Sequence, residues 1–140
     1  MMTIKALLEE QMNHSMKPTG IPTSVKIFTW LLICAGCFFF YVYTFNPSIS
    51  FPKANLDTYS AQMGFASTGV RIIGGVFVLL LCVLFDKPQW LFITLVGRVF
   101  VELGDVTAGL ILDGVTPATF ALLVLASLEI WAASKLWKLR

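Results

Sequence analysis

The sequence predicts an all-α integral membrane protein, a four-helix bundle with both termini in the cytoplasm. Of its 140 residues, 57% are hydrophobic and only 13% are charged, whereas about a quarter of a soluble domain is charged. The apolar residues gather into four stretches of about 17–25 residues, the length that a helix needs to cross a bilayer. The basic residues outside these stretches fall mostly on one side of the predicted membrane.

The four predicted spans cover residues 26–44, 64–85, 90–112 and 117–137. The turns between the last three are short and contain Pro88, Gly114 and Pro117, so these helices are predicted to be antiparallel neighbours. The longer segment 45–63 holds Pro47 and Pro52 and is predicted to be an ordered loop or a short interfacial helix. No cleavage site follows the first span, which is therefore expected to remain in the mature protein.

The chain divides into a cytoplasmic N-terminal segment, residues 1–24, and a transmembrane domain, residues 25–140. Apolar and charged residues alternate at helical spacing near the N-terminus. This pattern leaves two interpretations open: a short helix on the inner membrane surface, or a plain cytoplasmic tail.

The orientation follows from the basic residues between and beyond the spans. Lys53 alone falls on one side. The other side collects Lys5, Lys17, Lys26, Lys87, Lys135, Lys138 and Arg140. Since positive charge accumulates in cytoplasmic segments, this side is predicted to be the cytoplasm.

The third span contains three charged residues near its middle. Arg98, Glu102 and Asp105 follow one another at i, i+4 and i+7, so they share one helical face. Each charge at that depth costs about 2.5–3.5 kcal/mol on insertion scales, and such charges normally face a bundle interior, a partner or a cavity. They are the first candidates for a functional site.

Charged residues of neighbouring spans can be matched by depth. Counted from the turn at Lys87, Arg71 is predicted to lie level with Glu102 and Asp105 and to pair with one of them. Counted from the turn at Gly114, Arg98 is predicted to lie level with Glu129. Glu102 could also bridge to Arg98 along its own helix.

Two interpretations of these five residues remain open at equal weight. One is a structural salt-bridge network that fixes the arrangement of the helices. The other is a polar pocket for a ligand, a proton or an ion. The candidate site residues are Arg71, Arg98, Glu102, Asp105 and Glu129.

A Cys-x-x-Cys pair, Cys34 and Cys37, lies within the first span. The spacing invites a redox or soft-metal interpretation. Its position in mid-helix, away from a helix N-terminus that would favour a thiolate, argues instead for cysteine as a small packing residue. Packing is the preferred interpretation.

The sequence contains no other recognisable reaction centre. It lacks a nucleophile with a histidine base, a His/Cys metal-ligand cluster and a Gly-rich phosphate loop. No cofactor, metal or nucleic-acid partner is predicted, and an enzyme is the least favoured class.

The stretch from residue 69 to residue 136 resembles the small, uncharacterised four-helix bacterial membrane families near the DoxX-like group. The resemblance rests on single charges and glycines: Gly69-Val-Arg71, Gly74-Gly75, Arg98, Asp113-Gly114, Pro117 and Glu129. It implies a four-helix bundle in a bacterial inner membrane, in a group of which some members are associated with membrane redox assemblies. Glu102 and Asp105 depart from the commoner pattern.

The sequence thus favours a non-enzymatic, multi-pass membrane protein that binds a small ligand or ion at its buried charges. A second hypothesis is an accessory subunit whose apolar outer faces dock onto a larger membrane complex. A third is a small transporter that acts as a homo-oligomer, since one chain of 140 residues offers little room for a translocation path.

Overall fold

The computed structural model describes residues 20–49, 57–112 and 114–139. These ranges contain four long α-helices and no strand, so the all-α prediction is confirmed. The helices are α1 (Thr23–Phe45), α2 (Tyr59–Leu84), α3 (Pro88–Leu112) and α4 (Pro117–Trp137). A single 3-10 turn, Pro47–Ile49, follows α1.

Helix boundaries follow local capping rather than hydropathy. The Thr58 hydroxyl accepts a hydrogen bond from the backbone N–H of Ala61 at 3.3 Å, and α2 begins at Tyr59, before the predicted span start at residue 64. Thr116 caps α4 in the same way, with Pro117 at the first helical position. A hydroxyl at the N-cap satisfies an N–H that the helix cannot pair itself, so the first turn need not be apolar.

The turn between α2 and α3 is tied to the start of α1. Asp86 adopts a left-handed backbone conformation with φ of 49°. Its carboxylate accepts a hydrogen bond from the backbone N–H of Ile21 at 3.0 Å and lies 3.0 Å from the ammonium group of Lys26. The hydrogen bond from Ile21, then the one from Lys26, lowers the pKa of Asp86 below its ordinary value.

The four helices form two antiparallel hairpins, α1 with α2 and α3 with α4. We call the end that carries the α2–α3 turn the inner end and the opposite end the outer end. Direct contacts between the two hairpins are few. They centre on one hydrophobic core in the inner half: Ile21, Val25, Leu32, Ile33, Val76, Leu79, Cys82, Leu91, Leu95, Ala132, Ala133 and Leu136.

Glycines let α1 and α2 approach closely. A Cβ atom added at Gly36 would collide with the side chain of Val76, and one added at Gly69 would collide with the hydroxyl of Thr44. Small residues at the contact let the two backbones come close, so that van der Waals packing holds the helices together. This is the usual way that membrane helices associate.

Among the described helices, α1, α2 and α4 are long and apolar enough to cross a membrane. Helix α3 has 25 residues, which is also long enough, but Arg98, Glu102 and Asp105 make it too polar to join them on composition alone. The composition of a membrane protein is therefore shown for three of the four predicted spans. The predicted surface helix near the N-terminus, and residues 50–56 of the segment 45–63, lie outside the described residues.

Candidate functional site

Arg98, in the middle of α3, holds two carboxylates. Its Nε donates a hydrogen bond to Oε1 of Glu129 on α4 at 2.7 Å. Its Nη2 donates to Oε1 of Glu102 at 3.1 Å, one turn further along α3. The predicted Arg98–Glu129 pair and the predicted bridge along α3 are both confirmed. We call these three residues the Arg98 cluster.

The cluster is enclosed mainly on its acidic side. Glu129 has no exposed surface and Glu102 is 8% exposed, whereas the side chain of Arg98 retains 26% of its exposure. Glu129 shares a helical face with Ala126, Ala133 and Leu136, all of them buried. The Arg98 cluster therefore begins where the shared core of the two hairpins ends.

One atom of the cluster is buried without a partner. Oε2 of Glu129 is inaccessible and has no hydrogen bond to any described residue. An ionised carboxylate can accept about four hydrogen bonds, and most buried polar atoms in proteins have at least one partner. This atom sets Glu129 apart from an ordinary structural ion pair.

The charges of the Arg98 cluster do not balance. With every group ionised, one guanidinium faces two carboxylates, which leaves a formal charge of −1. Asp105 follows Glu102 on α3 and adds a further negative charge, although it is exposed. Tyr43, on the opposite hairpin, lies within electrostatic range of both Asp105 and Glu102.

The predicted pairing of Arg71 with Glu102 or Asp105 is not formed among the described residues. Arg71 is exposed, and neither it nor Asp105 takes part in any ion pair among the described residues. The reason is helical geometry: Gly69, two residues earlier, faces α1, and two residues turn an α-helix by about 200°. Depth counting placed Arg71 level with Glu102 and Asp105, but it did not show that Arg71 lies on a different face of α2 from the one that meets another helix.

Helix α2 instead contributes a glycine to the site. A Cβ atom at Gly75 would lie 3.9 Å from Nη1 of Arg98, so the bare glycine backbone faces the guanidinium. Sequence reasoning missed Gly75 as a neighbour of Arg98, and it missed that Tyr43 lies within electrostatic range of Glu102 and Asp105. The Gly74-Gly75 pair was visible as a place of close approach, whereas no sequence signal connects Tyr43 with residues so far along the chain.

Cys34 and Cys37 do not pack against the other helices as predicted. Cys34 and Cys37 are both exposed and unbridged; Gly36 between them is the residue that contacts α2. Cys82 is buried, with its sulfur 3.8 Å from the Thr94 hydroxyl on α3. In the part of the chain that the structure describes, no three His, Cys, Asp or Glu side chains are grouped to hold a metal ion.

Comparisons with protein-family models, with curated proteins and with solved structures find no match to this chain. The resemblance to the DoxX-like group therefore stays a prediction.

Proposed function

We propose that this chain is a four-span membrane protein that binds a small ligand or ion at the Arg98 cluster. In this proposal α3 is the fourth span, because two of its three charges, Arg98 and Glu102, are engaged in the cluster with Glu129 of α4. Both termini lie in the cytoplasm, on the evidence of the basic residues. A bacterial cytoplasmic membrane is the location that the resemblance implies.

The observation that carries the proposal is the unpartnered Oε2 of Glu129. A structural salt bridge repays the cost of burial only when the remaining hydrogen-bonding positions are also satisfied. Here one carboxylate oxygen is fully buried and unsatisfied while the cluster keeps an excess acid. A bound ligand or ion would give Oε2 of Glu129 the partner that it lacks.

A second candidate function rests on the free face of α1. Exposed side chains follow each other there at alternating intervals of four and three residues, and all except the cysteine are large and apolar: Ile27, Leu31, Cys34, Phe38, Tyr41 and Phe45. That spacing is the pattern that helices use to pack along one another. It would suit an accessory subunit that docks α1 onto a larger membrane complex, or a homo-oligomer that acts as a small transporter.

The first experiment is native mass spectrometry of the protein extracted gently from its own membrane. A protein that carries a bound small molecule supports the ligand site, and the same molecule should be lost from Arg98→Ala and Glu129→Ala variants. Co-purifying foreign subunits, with no small molecule, would favour the accessory subunit.

The variants need a control that separates binding from folding. Arg71→Ala removes an intramembrane arginine that lies outside the cluster, and we expect it to retain both the fold and the ligand. Ligand is compared per amount of folded protein, because the alanine variants are also expected to be less stable. If the folded fraction of Arg98→Ala and Glu129→Ala still carries the ligand, the charges form a structural network instead.

A further inference from the structure

We infer that the ligand of the Arg98 cluster is a small organic cation with N–H donors, such as a primary ammonium group, which binds Oε2 of Glu129. This inference rests on the proposed function and specifies its ligand. It follows from the charge of the cluster, from the hydrogen-bonding state of Glu129 and from the side on which the cluster is accessible.

The charge of the cluster selects a cation. Arg98 neutralises one of the two carboxylates that it contacts, at 2.7 and 3.1 Å, and the other remains in excess. A bound monovalent cation brings the formal charge of the cluster to zero, whereas a bound monovalent anion would make it −2. Since an uncompensated charge in the membrane interior is costly, the cation is the stabilising occupant. Asp105 strengthens the preference from the exposed side of α3.

The unpartnered oxygen selects a hydrogen-bond donor. Protonation of Glu129 would remove its charge, but a proton on Oε2 would turn that atom into a donor with no acceptor among the described residues. A bound ammonium group donates an N–H to Oε2 and at the same time compensates the negative charge of the carboxylate. The result is a charge-assisted hydrogen bond.

The donor set suits an ammonium group better than a metal ion. One oxygen of each glutamate is already engaged by Arg98. The described chain assembles no group of three acidic, histidine or cysteine side chains for a metal. An ammonium group needs only oriented oxygen acceptors and tolerates a neighbouring guanidinium within a net-negative site.

The ligand would enter between the two hairpins. Arg98 and Glu102 keep 26% and 11% of their side-chain exposure, and Arg98 faces Gly75 of the other hairpin. Gly75 leaves room beside the guanidinium. Because the shared core lies wholly in the inner half, the outer halves of the hairpins can separate while the inner half holds them together. Such a movement would expose Oε2 of Glu129, which is closed off in the present arrangement.

Three matched probes test the inference on the purified full-length protein in detergent: butylammonium, butyltrimethylammonium and butyrate. They share an apolar tail and differ in charge and in N–H donors. The affinity of each is measured by isothermal titration calorimetry. We expect butylammonium to bind, butyltrimethylammonium to bind at least about tenfold more weakly because it cannot donate, and butyrate not to bind.

Two variants connect the binding to the cluster. Glu129→Gln, which keeps the shape of the side chain and removes its charge, should weaken butylammonium binding at least about tenfold. Glu102→Gln removes the excess charge and leaves the Arg98–Glu129 pair intact, so it remains informative if Glu129→Gln does not fold. Arg71→Gln is the matched control and should bind butylammonium like the unmodified protein.

The outcomes separate this inference from the proposed function. Butyrate binding that requires Arg98 would overturn the cation and leave a ligand site in place. Equal binding of both cations would overturn the role of N–H donation. Binding that survives both glutamine variants would show that the cation lies elsewhere. If no probe binds a folded protein, the inference and the ligand site both fail.

Discussion

Arg98 of α3 and Glu129 of α4 stand at the same level of an antiparallel hairpin, with 2.7 Å between the guanidinium Nε and the carboxylate Oε1. Glu129 has no exposed surface, so this one contact decides whether a buried charge is compensated. Removing one partner of such a buried pair costs more stability than removing both, because it leaves the other charge buried and uncompensated.

Arg98→Ala should therefore destabilise the protein by about 3–5 kcal/mol, because it leaves Glu129 buried without its counter-charge. The triple variant Arg98→Met, Glu102→Gln and Glu129→Leu should recover much of this loss, since it removes all three charges of the Arg98 cluster and keeps similar volumes. Denaturant unfolding in detergent measures the difference. A triple variant no more stable than Arg98→Ala alone would contradict this prediction.

Gly69→Val should separate the outer halves of α1 and α2. The added side chain meets the hydroxyl of Thr44 on α1, and overpacking of a close contact costs about 1–3 kcal/mol. Gly74→Ala is the matched control on the same helix, because a Cβ atom there has no neighbour within 4 Å. Thermal unfolding should give a lower midpoint for Gly69→Val only; equal midpoints for both variants would argue against the close approach.

Asp86→Asn should remove a pH-dependent link between the start of α1 and the α2–α3 turn. The pKa of Asp86 is lowered by its contacts with Ile21 and Lys26, so its stabilising effect is present at neutral pH. It is lost as the pH falls below about 4 and through the lowered pKa. The contribution should be below about 1 kcal/mol, because the pair is partly exposed.

Unfolding of Asp86→Asn and of the unmodified protein should accordingly differ at pH 7 and converge in acid. Asparagine tolerates the left-handed backbone found at this position, so the variant tests the charge rather than the turn. A difference that stays constant from pH 7 into acid would assign the effect to something other than the carboxylate.

Labelling in intact cells tests the orientation. In a background without native cysteines, Val115→Cys in the exposed α3–α4 turn should react with a membrane-impermeant maleimide. Lys87→Cys in the exposed α2–α3 turn should react only after the cells are opened. The reverse pattern would overturn the prediction that both termini are cytoplasmic.

The native cysteines should have no redox role. Cys34 and Cys37 are exposed on α1, away from the packed face that carries Gly36. Replacing both by serine should leave folding and ligand binding unchanged. Alkylation with and without a reductant should label them equally, whereas a difference would reveal a bridge and revive the dithiol hypothesis.

The sequence predicted the helices well because their length and apolar composition are local properties. Pro88 and Pro117 marked the first residues of α3 and α4, and both helices begin there. The depth argument also succeeded for Arg98 and Glu129, since two helices joined by a short turn must lie side by side and depth alone then decides which residues are level.

Depth counting failed for Arg71 because the depth of a residue along a helix does not say which side of the helix it lies on. Short turns predicted α2 and α3 as neighbours, but α2 uses its main face for α1 and meets α3 chiefly in the shared core at the inner end. The contacts of Gly36 with Val76 and of Gly69 with Thr44 link residues of α1 and α2 that lie far apart in the sequence. No spacing rule in the sequence could have indicated them.

The grouping of α3 with α4 has a consequence for how the chain is made. Alone, α3 presents three charges to the lipid and lacks the composition of a spanning helix; its arginine meets Glu129 only after α4 has been synthesised. We therefore expect the ribosome-bound chain to deliver α1 and α2 to the bilayer first. Helix α3 would wait at the insertion machinery until α4 emerges, so that both enter together with Arg98 already paired to Glu129. A truncation before α4 should leave α3 outside the membrane, a defect of biogenesis rather than of folding.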